Sequence, residues 1–174
     1  MHNESKNAFL INEFLTMSIM AALGVRDKNN PVYKENVDSK DKNNLNIFLR
    51  NKLTEYSKQY ERKVGEEQHI RNIEQLAKEA TTNNKNILHK EEFRIGVAQK
   101  LLNLYLKYLW VSDKIPEPPH CPFDNIIISK INSKNIKWTS LNNIEEYKIL
   151  IEKARKYSGK KSLAEWELEI WNQK

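Results

Sequence analysis

At 174 residues, with 39% hydrophobic and 30% charged side chains, the chain has the size and make-up of one globular domain and not of a disordered tail. Its 4 glycines and 5 prolines are too few for the frequent turns of an all-β protein. A formal net charge of +6 is compatible with a polyanionic partner, and the single cysteine, Cys121, excludes a disulfide framework or a zinc site of several thiolates. The longest apolar stretch, Ala8 to Leu23, is broken by Asn12, Glu13, Thr16 and Ser18, so no membrane span is expected. The opening MHNES lacks the basic start of a signal peptide, which makes the cytoplasm the expected location.

In chain order, Ala8, Ile11, Leu15, Ile19 and Leu23 recur at helical spacing, with Gly24 at the expected helix end. The polar stretch from Val25 to Lys42, with Asn29-Asn30-Pro31 as a turn, reads as a loop. Leu45, Phe48, Leu49, Leu53, Tyr56 and Tyr60 form a second apolar stripe, and Ile70, Ile73, Leu76, Ala77 and Ala80 a third after a break at Gly65. Thr81 to Asn86 reads as a polar connector. Val97 to Trp110 is apolar nearly all round, which predicts a central buried helix.

Four prolines then crowd into Pro116–Pro122, too stiff and donor-poor for a helix, so an ordered extended crossing is expected. Asp124 is a good N-cap for a helix over Ile126 to Ile131. Ile144, Tyr147, Ile151, Ala154 and Tyr157 mark a sixth helix. Ser162 and Glu165 form a capping box for a seventh, which buries Leu163, Trp166 and Ile170. No strand alternation persists and no internal repeat occurs. The prediction is one all-α domain over 1–174, a compact bundle of about seven helices. Residues 1–86 are its N-terminal helices, 87–133 its chemical core and 134–174 its C-terminal helices.

Two segments carry the chemistry. Gly96-Val97-Ala98-Gln99-Lys100 feeds the most apolar helix with a lysine one turn in, and Pro122-Phe123-Asp124 puts a carboxylate at a helix start. Together they resemble the helix-hairpin-helix DNA glycosylases, in particular the 8-oxoguanine glycosylase branch, whose pattern is Gly-Val-x-x-Lys, an apolar helix, then Pro-x-Asp. Ile95 and Ala98 stand where that family's hairpin usually has a proline and a second glycine. The resemblance covers roughly Arg94 to Ile131. It implies that Lys100 is the catalytic lysine, Asp124 the catalytic aspartate, and the backbone around Arg94, Gly96 and Ala98 a grip on DNA phosphate. The implied activity is removal of a damaged or modified base from double-stranded DNA, with or without an accompanying lyase step, in repair or antiviral defence.

That pair suits the reaction. Cleaving a base from deoxyribose passes through an oxocarbenium-like state, which a carboxylate stabilises, and an amine attacking C1′ leads to a Schiff base. The attacking amine must be neutral, and burial beside Leu101 and Leu104 would depress its pKa. Lys130, Lys134 and Lys137 lie in an acid-free window and would meet phosphates, and Trp138 would stack on a base. Arg155, Lys156, Lys160 and Lys161 form a second acid-free cluster. His120, Cys121 and Phe123, beside the proposed aspartate, would line the base pocket; they are too few for a metal site. No cofactor is called for, and a monomer is expected.

Two other readings compete. In one, Lys100 and Asp124 only support the fold of a non-enzymatic DNA-binding or protein-interaction module. In the other, the spacing of Arg62 and His69 is similar to the Arg-x4–6-His motif of the HEPN ribonucleases.

Overall fold

The computed structural model describes residues 2–133 and 135–173. Among the described residues there are seven α-helices: α1 (His2–Leu23), α2 (Ser39–Ser57), α3 (Glu66–Asn84), α4 (Ile95–Val111), α5 (Asn125–Lys130), α6 (Ile144–Ser158) and α7 (Leu163–Asn172). Short 3₁₀ turns follow α2 at Lys58–Glu61 and precede α4 at His89–Glu91. Among the described residues there is no strand, only a single antiparallel bridge between Tyr33 and Leu88. The all-α bundle expected from periodicity is what the chain adopts.

Helix α4 is the axis. Twelve of its 17 residues are buried, and it packs along α1 and against α2, α3 and α6. A helix apolar on all sides can be stable only with neighbours on all sides. One continuous apolar cluster, from Leu15 in α1 to Leu163 in α7, surrounds it. None of the described helices is long and apolar enough to cross a membrane.

The ends of the elements follow local chemistry. Asp124 caps α5, its Oδ1 accepting from the N–H groups of Ile126 (2.9 Å) and Ile127 (3.1 Å). The Ser162–Glu165 capping box is present at α7, and Asn143 caps α6 by accepting from the Glu145 N–H.

Two boundaries differ from expectation. Helix α2 starts at Ser39, inside the stretch read as loop, because Asp38 accepts from the Asp41 N–H at 2.7 Å and pins a polar first turn. Helix α3 runs on through Thr81–Asn84, where the buried Asn84 returns its amide to the Ala80 carbonyl.

The expected hairpin glycine is also placed differently. Gly96 is the second residue of α4, not part of a turn. Its N–H donates to the Leu141 carbonyl at 2.7 Å, and a Cβ there would lie 1.7 Å from the Trp138 carbonyl oxygen. Glycine is required because the 137–141 segment crosses the start of the helix at backbone contact distance.

Candidate functional site

That close crossing builds the site. With no side chain at Gly96, Trp138 comes down onto α4, and its ring centroid lies 4.0 Å from the Lys100 ammonium one turn further along. Arg94 ties the surrounding loops together. Its buried guanidinium donates to the carbonyls of Thr139 (2.7 Å), Asn30 (2.8 Å) and Pro31 (2.9 Å). Asp27 closes the same junction by accepting from Thr139 Oγ1 at 2.7 Å and from the Asn30 side chain. These bonds, Thr139 first, hold its carboxyl at about 2.

A second set of bonds places Asp124. The Gln99 side chain is buried, donating to the Phe123 carbonyl at 2.8 Å and accepting from the Phe123 N–H at 3.1 Å. The end of the proline crossing is thereby fixed to α4, one residue before Asp124 and one before Lys100.

The result is an open cavity of about 640 Å³ with Lys100, Asp124, Trp138, Lys137, Arg26 and Asp27 in its walls. Lys100 is half-buried, and burial lowers its amine pKa from the ordinary lysine value while the charge of Asp124 opposes the shift. Asp124 spends Oδ1 on the helix cap, so the cap makes no use of Oδ2. Arg26 and Lys137 are exposed at the rim. An amine whose pKa burial lowers, a carboxylate and two exposed cations share one opening, an arrangement suited to attack on a carbon beside an anionic chain.

The other expected site residues are distributed as follows. Lys137 and Trp138 join Lys100 and Asp124 in the cavity wall, but the Trp138 ring carries the Lys100 ammonium and is itself buried, so it is not an open stacking platform. Arg94, Gly96 and Ala98 are buried. Their expected grip on phosphate is replaced by bonds within the protein, since the Gly96 N–H is taken by Leu141, the Ala98 N–H by Arg94, and the Arg94 guanidinium by three carbonyls. Lys130 is exposed at the end of α5 and is not one of the residues lining the cavity, and Lys134 lies outside the described residues. In the second basic cluster, Arg155 pairs with Glu66 and Lys161 with Glu169.

His120, Cys121 and Phe123 are buried core residues and do not line the cavity. His120 Nδ1 meets the Tyr147 hydroxyl at 2.9 Å, and Phe123 lies edge-on to the Tyr147 ring. The expected base pocket is therefore corrected: His120 and Phe123 pack on Tyr147, and Cys121 is buried in the apolar core. His69, needed by the ribonuclease reading, is fully buried and bonded at both ring nitrogens, to the Tyr60 hydroxyl and to Asn103 Oδ1. Arg62 is exposed. Among the described residues, no group of three or more His, Cys, Asp or Glu side chains could hold a metal ion.

Sequence reasoning missed Arg26, Asp27, Thr139 and Gln99. Only Gln99 carries a signal, as a polar residue in a largely apolar helix; the others meet through contacts remote in sequence. No protein-family model, curated protein or solved structure matches this chain.

Proposed function

We propose that this protein is a DNA N-glycosylase that removes a modified base, with Lys100 as nucleophile and Asp124 as its electrostatic and acid–base partner. The observation that carries this reading is that the two side chains, one in α4 and one at the N-cap of α5, line one open cavity in which burial lowers the lysine pKa. In the reaction, the neutral Lys100 amine forms a bond to C1′ as the C1′–N bond to the base breaks. The electron pair leaves with the base, which takes up a proton. Asp124 stabilises the positive charge that develops on the sugar and accepts the proton released by the attacking amine. Ring opening then gives a Schiff base, from which strand cleavage can proceed. Arg26 and Lys137 are the cations placed to hold flanking phosphates.

A non-enzymatic DNA-binding module is the second reading. It is favoured by the structural work each residue already does: Lys100 packs on Trp138, and Asp124 caps α5.

Borohydride trapping on duplexes carrying oxidised, deaminated, alkylated and hypermodified bases separates the two, with alkali cleavage as a parallel readout. The glycosylase reading expects a covalent adduct that disappears in Lys100→Gln. Alkali-labile sites without an adduct would retain base release and remove Lys100 as nucleophile. DNA binding with no base released from any duplex would establish the binding module instead. The base that reacts also decides between repair of damage and defence against modified genomes.

A further inference from the structure

A second, smaller cavity of about 200 Å³ shares Lys100 and Asp124 with the first. It lies between α4 and α7 and is closed by Ala21 of α1 and by Pro122. Lys100, Leu104, Lys107 and Tyr108 follow one another at helical spacing along the α4 wall, and Glu167 and Trp171 stand one turn apart on the α7 wall. At this size it is below the roughly 300–1,000 Å³ of sites that take drug-sized ligands, and it suits a single planar ring system.

Its walls have the chemistry of a base site. The Tyr108 ring is backed by Phe14, stacked with centroids 5.5 Å apart, and the Trp171 ring is half-exposed. The same cavity wall holds a nearly buried ion pair, Lys107 Nζ to Glu167 Oε2 at 2.7 Å, with that ammonium 5.1 Å from the Trp171 centroid. A charged donor beside a charged acceptor, in a cavity that also has two aromatic rings in its lining, matches the edge of a nucleobase that carries a donor next to an acceptor.

Resting on the glycosylase reading, we infer that this cavity receives the everted base while the larger one holds the strand. Tyr108 and Trp171 flank the ring, and Lys107 and Glu167 read its hydrogen-bonding edge. Lys100 and Asp124, common to both cavities, then stand where base and sugar part.

Two measurements test the pocket separately from the reaction. First, free hypoxanthine is titrated into ¹⁵N-labelled protein. The Trp171 indole N–H and the amides of α7 are expected to shift, and the α7 shifts to vanish in Trp171→Ala; absence of any shift at α7 overturns the pocket. Second, Lys100→Gln protein is bound to one duplex with a mispaired hypoxanthine and to another with a tetrahydrofuran abasic site. Adding Trp171→Ala, or Lys107→Met with Glu167→Met, should weaken binding to the hypoxanthine duplex about ten-fold and leave abasic-site binding within about two-fold. Equal weakening of both duplexes would mean that these residues touch the strand and would overturn the assignment. A hypoxanthine shift at Trp171 with no base released from any duplex would overturn the glycosylase reading and keep the pocket as a base-binding site.

Discussion

Gln99 holds the peptide groups of Phe123 from both sides, donating to its carbonyl at 2.8 Å and accepting from its N–H at 3.1 Å. The residues that follow are Lys100 and Asp124. The relative placement of the two reactive candidates is therefore set one residue upstream of each, in the dry interior, where neither bond competes with water.

Gln99→Leu should accordingly fold less stably and also misplace Asp124. It leaves a buried N–H and a buried carbonyl without partners, a loss on the order of 2–4 kcal/mol, readable as a lower urea midpoint. Gln99→Glu keeps the acceptor for the Phe123 N–H and sets a carboxylate against the Phe123 carbonyl. It should lower the midpoint as well, and near-wild-type stability in both variants would refute the clamp.

Gly96→Ala tests the crossing of the 137–141 segment. The added methyl would collide with the Trp138 carbonyl, so either α4 or the 137–141 segment must move, at about 3 kcal/mol by the usual scale of overpacking. The displacement should also separate Lys100 from the Trp138 ring. Tryptophan fluorescence and thermal unfolding report the two effects, and an unchanged Tm would show that the crossing is loose.

How far the sequence discloses this molecule depends on whether a feature is local. The stripe Leu45, Leu49, Leu53 and Tyr56 announces α2 because apolar burial drives the helix. The first turn of α2 is hidden because residues 39–44 face solvent or its edge and only the Asp38 cap marks it. The Lys100–Asp124 pair was visible because each residue belongs to a short segment with its own local logic, a lysine in an apolar helix and a cap after prolines. The cavity that joins them was not visible. It depends on Arg94 reaching Asn30 and Thr139, and on Gly96 meeting Trp138, contacts that no periodicity encodes. Glu167 reads as an ordinary polar position of an amphipathic helix until the fold buries it against Lys107. For His120, Cys121 and Phe123 the reason is the opposite: they are close to Asp124 in sequence but absent from the cavity wall. The extended crossing turns successive side chains into the core.

Asp124 has two jobs that substitution can separate. Asp124→Asn keeps an N-cap and should cost only a few tenths of a kcal/mol, whereas Asp124→Ala should cost about 1 kcal/mol. The negative charge is lost in both. Because that charge opposes the effect of burial on Lys100, removing it should lower the lysine pKa further and shift the amine's titration to lower pH. NMR titration of ¹³C-labelled lysine side chains reads the shift directly. A Lys100 titration unchanged in Asp124→Asn would mean that the two groups do not interact.

The interior also predicts an acid-sensitive stability. His69 takes its hydroxyl bond from Tyr60 at Nδ1 and meets Asn103 Oδ1 at Nε2, while His120 Nδ1 meets the Tyr147 hydroxyl. Asn72 and Asn103 donate to those same tyrosine oxygens. A proton on either Nδ1 would remove the lone pair to which the tyrosine hydroxyl can donate there. Burial pushes both pKa values below the ordinary 6.5, His69 furthest, with the nearby His120 ring adding to the effect. For His120, the Glu66 carboxylate 3.9 Å away pulls in the other direction. The unfolded chain gains protons below pH 6.5 that the folded chain refuses. The stability contributed by neutral burial is thus complete above pH 6.5 and falls as the pH drops, by up to about 1.4 kcal/mol per pH unit for each histidine. Glu66 joins only at lower pH: the His120 ring and then Arg155 hold its carboxyl at about 2 against an ordinary 4.5, so its contribution is present above 4.5 and is lost as the pH falls from there. Between pH 6.5 and 4.5 the histidines therefore dominate this network. Urea midpoints across that window should fall steadily in the wild type and less steeply in His120→Gln, while an identical slope in the two proteins would show that His120 titrates as freely in the core as in the unfolded chain.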